Sequence, residues 1–192
     1  MKTRLSIVLA ATLALAACDH ATDATPAART VVLPDSLGRA GMSAISPDGT
    51  RLAWHSEVGS RAAIFVGGLD GSNPIRLTNG VWDASPLWSP DGQLIAYYSD
   101  VGADIWVVPS TGGTARQLTS GPATDEPQQW LPDGSALLVT RKGVGPTHTV
   151  VVPLDGGPER PLVPSMGGDQ ITALSPNGSL AAFDLVRGGL AT

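Results

Sequence analysis

The 192-residue chain carries 12 Lys and Arg against 17 Asp and Glu, a formal charge of −5, and is 42 % hydrophobic but only 15 % charged. That length supports one ordinary globular domain with a sizeable core, and the acidic balance argues against a nucleic-acid partner, which needs a basic surface. Its 23 glycines and 16 prolines interrupt the chain too often for long helices, so the short apolar runs between them read as strands of an all-β fold.

The chain opens with "MKTRLSIVLAATLALAACDH". Lys2 and Arg4 precede an apolar run from Leu5 to Ala17, the charged and hydrophobic regions of a secretory signal. A run of about 13 residues is too short to span a bilayer as a helix. It ends in Leu15-Ala16-Ala17-Cys18, which resembles a bacterial lipoprotein signal, and that resemblance implies lipidation of Cys18 as the new N-terminus. Cys18 is the sole cysteine and has no disulfide partner within the chain. Loss of residues 1–17 would leave ten Lys and Arg against seventeen Asp and Glu, a charge of −7. Residues 18–30 read as the lipidated cysteine and a flexible tether, which lifts the following domain about 20 Å from the membrane. A periplasm-facing, membrane-anchored protein is expected. Asp19 resembles an inner-membrane retention signal and leans the choice of membrane that way.

From residue 31 onward the chain repeats itself. The copies are "SPDGTRLAW" from Ser46, "SPDGQLIAY" from Ser89, "LPDGSALLV" from Leu131 and "SPNGSLAAF" from Ser175, and Pro47, Pro90, Pro132 and Pro176 stand 43, 42 and 44 residues apart. A period in the low forties with short strands matches a four-stranded propeller blade. Seven residues after each proline comes Trp54, Tyr97, Val139 or Phe183, next to a smaller residue, as packing between blades requires. Third strands follow in "AIFVGGLDG", "DIWVVPSTGG" and "HTVVVPLDGG", each closed by a DG or GG pair suited to a tight hairpin. "PIRLT", "ARQLT" and "ERPLV" supply short fourth strands at Leu77, Leu118 and Leu162.

Three units are complete in this reading, and the fourth stops where its third strand is due. Leu33 lies 14 residues before Pro47, much as Leu77, Leu118 and Leu162 lie 13, 14 and 14 before their own prolines. Val31 to Leu33 therefore reads as a fourth strand without a blade of its own. Residues 31–192 thus read as a partial propeller of about three and a half blades. Such a unit would leave unpaired edges at both ends, so the expectation is the N-terminal portion of a larger ring.

The pattern D-x-x-P-x-W-S-P-D-G, clearest from Asp83 to Gly92, followed by Ile95-Ala96-Tyr97 and Ile105-Trp106-Val107-Val108, resembles the TolB-like propeller repeat of bacterial envelope proteins. The resemblance runs from about Val31 to Thr192. It implies blades that work through protein contacts. The same blades also stand before prolyl-oligopeptidase-type serine peptidases and in some polysaccharide lyases and sensors. The third copy departs with Leu131 and Val139, and the fourth with Asn177 and Leu174.

No G-x-S-x-G nucleophile motif, H-E-x-x-H, cysteine pair or D-x-D-x-D-G calcium loop occurs, so no catalytic residue, metal site or cofactor is called for. His20 lies in the tether. His148 takes a position held by Ala63 and Asp104 in other copies, and His55 follows Trp54 late in a second strand; both read as solvated positions rather than ligands. One feature repeats with its charge: Asp83, Asp125 and Asp169 each stand five residues before Trp88, Trp130 or Leu174. In a propeller that position starts the innermost strand, at one mouth of the central channel. A ring of carboxylates there could attract a cation or a basic peptide, or each could accept backbone hydrogen bonds from the inter-blade linker. Trp54, Trp88, Trp106 and Trp130 read as inter-blade core. Trp82, where other copies have Thr124 and Gly168, reads as a partly exposed contact residue near the mouth.

The expected function is a lipid-anchored envelope module that binds a protein or peptide, with no nucleic acid. One alternative is the gating propeller of a serine peptidase whose catalytic domain lies beyond Thr192. Another is a carbohydrate-binding or lyase propeller. The Asp of each SPDG reads as a bend former, because Asn177 serves in the fourth copy and cannot ionise.

Overall fold

A computed structural model describes residues 39–162, 169–175 and 177–185. The signal segment, Cys18, the tether and Val31 to Leu33 lie outside the described residues. Fourteen strands follow one another without a helix among the described residues. The first blade is β1 (Arg39–Ile45), β2 (Arg51–Val58), β3 (Arg61–Gly68) and β4 (Ile75–Arg76). The second is β5 (Asp83–Trp88), β6 (Leu94–Ser99), β7 (Asp104–Pro109) and β8 (Arg116–Gln117). The third is β9 (Thr124–Trp130), β10 (Ala136–Lys142), β11 (His148–Pro153) and β12 (Arg160–Pro161), and β13 (Asp169–Leu174) pairs with β14 (Ala181–Leu185). Each of the first three sheets runs antiparallel in chain order, so the blades of the repeat are present as read.

The fourth strands are shorter than the sequence pattern implies, two residues each. Leu77, Leu118 and Leu162 sit just past them, yet each still donates its N–H to the third strand, at Ile64 (2.8 Å), Ile105 (2.8 Å) and Thr149 (3.1 Å). In the first two blades the next residue adds a bond invisible in the pattern. The Thr78 and Thr119 hydroxyls accept the N–H groups of Ile64 (3.0 Å) and Ile105 (2.9 Å), capping an outer ladder that is otherwise too short.

The SPDG turns share one construction. The glycine N–H donates to the carbonyl three residues back in all four turns, at 2.8 to 2.9 Å, and Gly49, Gly92, Gly134 and Gly178 take φ of 71°, 69°, 72° and 69°. That left-handed conformation disfavours any residue with a Cβ. In the first turn the Ser46 hydroxyl donates to Asp48 Oδ1 (2.6 Å) and accepts the Arg51 N–H (2.9 Å), which ties the two strand ends together. Ser89 and Asp91 repeat the arrangement, and Ser175 repeats it with Asn177 Oδ1. The turn needs a carbonyl-type oxygen at that point and not a charge.

Between blades the core is continuous. Ala53, Ile64, Val66 and Leu77 of the first blade pack on Trp88, Ile95, Tyr97 and Val108 of the second. Ala96, Ile105 and Val107 pack on Trp130, Leu137, Val139, Val150 and Val152 of the third. Burial of each large side chain contributes about 1.5–3 kcal/mol. The tryptophans also carry a directional tie: the indole N–H of Trp88 donates to Ala44 O (3.0 Å) and that of Trp130 to Leu87 O (3.2 Å), each in the inner strand of the preceding blade. Leu174, at the same place in β13, has no such donor. Every inner strand is bulged, with register shifts in β1, β5, β9 and β13. A bulge deepens local twist and turns side chains out of the pleat; Ser85, in the β5 bulge, has a φ of 54°.

Candidate functional site

The propeller presents two faces with different construction. One carries the SPDG turns and the tight turns that join third to fourth strands. The other carries the loops between second and third strands and the linkers that lead from one blade to the next. The linker face holds the sequence-predicted site residues.

Asp83 is the first residue of β5 and Asp125 the second of β9, both almost fully buried. The same repeat position is satisfied in two ways. Asp83 Oδ2 accepts the N–H of Gly80 in the linker (3.0 Å). The corresponding position before Asp125 is Pro122, which has no N–H to give. Across the strand pair, Asp83 faces Ser99 whereas Asp125 faces Arg141. Arg141 donates Nε and Nη2 to the two Asp125 oxygens, both at 2.8 Å, and Nη1 to Glu159 (2.6 Å). A bidentate guanidinium pair of this kind fixes the start of β9. Those hydrogen bonds, the ones donated to Asp125 first and that to Glu159 next, push the pKa of the Arg141 guanidinium up from its ordinary value. Asp169 opens β13 with Leu185 opposite it, and its side chain lies outside the described residues.

Beside this pair, Asp104 is buried at the start of β7. Burial pushes its carboxyl up, while hydrogen bonds from Gln117 Nε2 (2.9 Å) and the Thr119 hydroxyl (3.3 Å) oppose the shift. Burial, and then the Asp83 carboxylate, push the Tyr97 hydroxyl up.

Trp82 stands in the linker immediately before Asp83. Its backbone forms a parallel bridge with Ala62 and a two-way tie to the next loop: its N–H donates to Asp100 Oδ1 and its carbonyl accepts the Asp100 N–H, both at 3.0 Å. Trp82 stays 37 % exposed. Val81 and Val101, its neighbours along the chain and across that tie, are 49 % and 55 % exposed. The three form an apolar patch that the third blade does not reproduce, since it has Ala123 and Thr124 where Val81 and Trp82 stand.

His55 corrects the sequence reading. It is buried, with its ring pressed on Gly41, where any Cβ would overlap it, and 6.5 Å from the Trp82 ring. Burial lowers its pKa from 6.5, and Glu57, 3.7 Å away, opposes that shift. Its Nδ1 has no hydrogen-bond partner. The glycine at the β1 bulge admits the ring, a signal that lies in the neighbouring strand and not beside His55 in the chain. His148 begins β11 half-buried, with Nδ1 against Pro146 O (2.9 Å). Among the described residues no three His, Cys, Asp or Glu side chains converge as a metal site requires.

On the turn face, an open cleft of about 270 Å³ lies between the second and third blades. It is lined by Leu87, Trp88, Pro90, Gln128, Gln129, Trp130 and Pro132.

Known proteins resemble the chain along most of its length. It is 35 % identical over 105 residues to the "Uncharacterized peptidase YuxL" of Bacillus subtilis, a match that covers 50 % of this chain and 16 % of that protein. It is 28 % identical over 142 residues to the "Uncharacterized protein Atu1656" of Agrobacterium fabrum, covering 72 % of this chain and 48 % of that one. The chain thus spans less than half the length of either relative. Among solved structures, a TolB-type protein from Agrobacterium tumefaciens superposes with a TM-score of 0.68 at 24 % identity, over 84 % of this chain and 59 % of the other, a likeness of fold. The repeated turns, the four-stranded antiparallel blades and a match of residues 24–191 to the TolB beta propeller domain model place this chain in the TolB β-propeller family.

Proposed function

We propose that this protein is a lipid-anchored, periplasm-facing binding module that holds a protein or peptide partner on its linker face. The observation that carries the reading is the patch of Val81, Trp82 and Val101. It is an exposed apolar cluster on an acidic protein, with an indole of the kind that anchors interfaces. Asp83 and Asp125 fix strand starts on the same face and are positioning residues in this reading, because their oxygens are engaged within the protein; Asp169 is proposed for the same role in β13. Cys18 is the lipid attachment point, and Asp19 favours retention at the inner membrane.

The test is a photo-cross-linking amino acid at Val101 in the bacterium. One envelope protein should be trapped, and Trp82→Ala should abolish the adduct without unfolding the blades. A Val101 probe that traps nothing in the envelope would sink the reading. For the anchor, Cys18→Ser should stop incorporation of labelled palmitate and release the protein from the membrane fraction.

A second reading is favoured by the likeness to the Bacillus peptidase: the propeller gates a serine peptidase domain beyond Thr192. Reading the coding sequence past Thr192 separates the two. A G-x-S-x-G followed by Asp and His supports the peptidase, and further SPDG repeats before a stop support the binding module.

A further inference from the structure

The chain has three asparagines, and each stands in a different chemical setting. Asn73 precedes Pro74, whose nitrogen carries no hydrogen and cannot attack a side chain. Asn79 and Asn177 each precede a glycine. In such a pair the glycine nitrogen can close on the asparagine carboxamide carbon, because no Cβ stands in the way. The fold treats the two pairs differently.

Asn177 is locked inside the fourth turn. Its Oδ1 accepts the Ser175 hydroxyl (2.8 Å), the Ser179 N–H (3.1 Å) and the Ser179 hydroxyl (2.7 Å), and the Gly178 N–H donates to Ser175 O (2.8 Å). Ring closure there has to give up these bonds, each of about 0.5–1.5 kcal/mol, and a backbone carbonyl takes no proton away from Gly178. Asn79 is exposed in the linker between β4 and β5, and among the described residues no hydrogen bond holds its carboxamide. The Gly80 N–H donates to Asp83 Oδ2 at 3.0 Å. That acceptor is a base, within the roughly 2.6–3.2 Å over which a side chain takes up a proton. Glycine is also what the position requires, since a Cβ on Gly80 would overlap the Asp83 carboxyl. The third blade lacks the arrangement: Ser120 follows Thr119 as Asn79 follows Thr78, and Pro122 stands three residues before Asp125 as Gly80 does before Asp83.

We propose that Asn79 is a self-modifying site, converted by the Gly80 nitrogen with Asp83 as the proton acceptor. The Gly80 nitrogen bonds to Asn79 Cγ while Asp83 Oδ2 receives its proton; the carboxamide nitrogen departs with that proton as ammonia and leaves a succinimide. Water then opens the ring at either carbonyl, giving aspartate or isoaspartate, and in the latter the main chain runs through the former side chain. The product matters because the linker is anchored on both sides of Asn79. Thr78 accepts the Ile64 N–H on its hydroxyl (3.0 Å) and Arg76 Nε on its carbonyl (2.8 Å), and Val81 O accepts the Ala62 N–H (3.0 Å). An added backbone carbon between those anchors, with a new carboxylate, pulls Gly80 from Asp83 and loosens the segment that carries Trp82.

The test incubates the full chain in mildly alkaline buffer, folded and in urea. Mass spectrometry of its peptides locates each amide that has become an acid, and an isoaspartyl methyltransferase assay identifies the isomer. In the folded chain Asn79 should convert at least about tenfold faster than Asn177, and in urea the two rates should converge. Asp83→Asn keeps an oxygen for the Gly80 N–H but takes up no proton, so conversion at Asn79 should slow by about threefold or more. Should that variant unfold, the folded and urea rates of the native sequence decide. Amide hydrogen exchange at Gly80 and Ala62 should quicken in the converted fraction. A folded chain that converts both asparagines alike, a folded Asp83→Asn variant that converts Asn79 as fast or faster, or unchanged exchange at Gly80 and Ala62 after conversion would overturn the proposal. No partner enters any of these readouts, so the result is independent of the binding role given to the linker face.

Discussion

The turn face and the linker face meet the same problem, how to join one strand to the next, by different means. All four SPDG-type turns share the glycine N–H bond to the carbonyl three residues back, three of them add the same serine-to-Asx bond, and the chain changes Asp to Asn within that plan without altering the geometry. The linkers repeat a single residue, the aspartate at positions 83, 125 and 169, yet the two whose side chains are described, Asp83 and Asp125, are surrounded differently. Asp83 takes a glycine N–H, and Asp125 takes an arginine because a proline has removed that N–H. Where every copy is alike, the residues build the blade. Where copies differ and leave apolar surface open, as at Val81, Trp82 and Val101, the sequence is free to serve a partner.

The comparison can be broken most severely at the seam that both faces depend on. Trp88→Ala removes a buried ring, its bond to Ala44 O and the platform for Arg51. It should cost about 3–5 kcal/mol, read as a lowered urea midpoint. On the linker face, Asp125→Ala leaves Arg141 opposite a hole. Arg141 keeps Glu159 and some solvent contact, so the loss should be about 2 kcal/mol, below that of a fully buried pair. On the turn face, Gly92→Ala forces a Cβ into a φ of 69° and should cost about 1 kcal/mol, measured as a fall in Tm. The smallest effect is a pH slope. His55 has its folded-state pKa held below 6.5 by burial, so the unfolded chain takes up the proton first as pH falls. Stability is full above about 6.5 and is lost below it; Tm should drop between pH 7 and pH 5.5, and His55→Gln should remove that slope.

Much of this architecture is legible in the sequence because its signals are local and repeated. SPDG marks each inner hairpin, the Ala53-Trp54 and Ala96-Tyr97 pairs mark strands buried on both faces, and the exposed indole of Trp82 follows from its place in a linker without a counterpart. The remainder depends on contacts between distant segments. Arg51 reads as an ordinary polar residue after a turn until Trp88, 37 positions later, is brought beneath it. His55 reads as solvated until the β1 bulge places Gly41 against its ring. Arg141 sits one strand away from Asp125, so spacing along the chain carries no hint of the pair. The Thr78 and Thr119 caps had a signal, the repeated Leu-Thr of "PIRLT" and "ARQLT", whose second residue the strand pattern alone does not explain.

The central claim is a division of labour: the SPDG aspartates bend the chain and the linker around Trp82 meets the partner. Cross-linking yield from a photoreactive residue at Val101, compared between Trp82→Ala and Asp48→Asn, tests it directly. Asp48 makes the same turn bonds as its counterparts and lies outside the cleft. The account predicts that the adduct disappears with Trp82→Ala and persists undiminished with Asp48→Asn. An adduct that survives without the indole, or that is lost when the turn carboxylate becomes an amide, would contradict it.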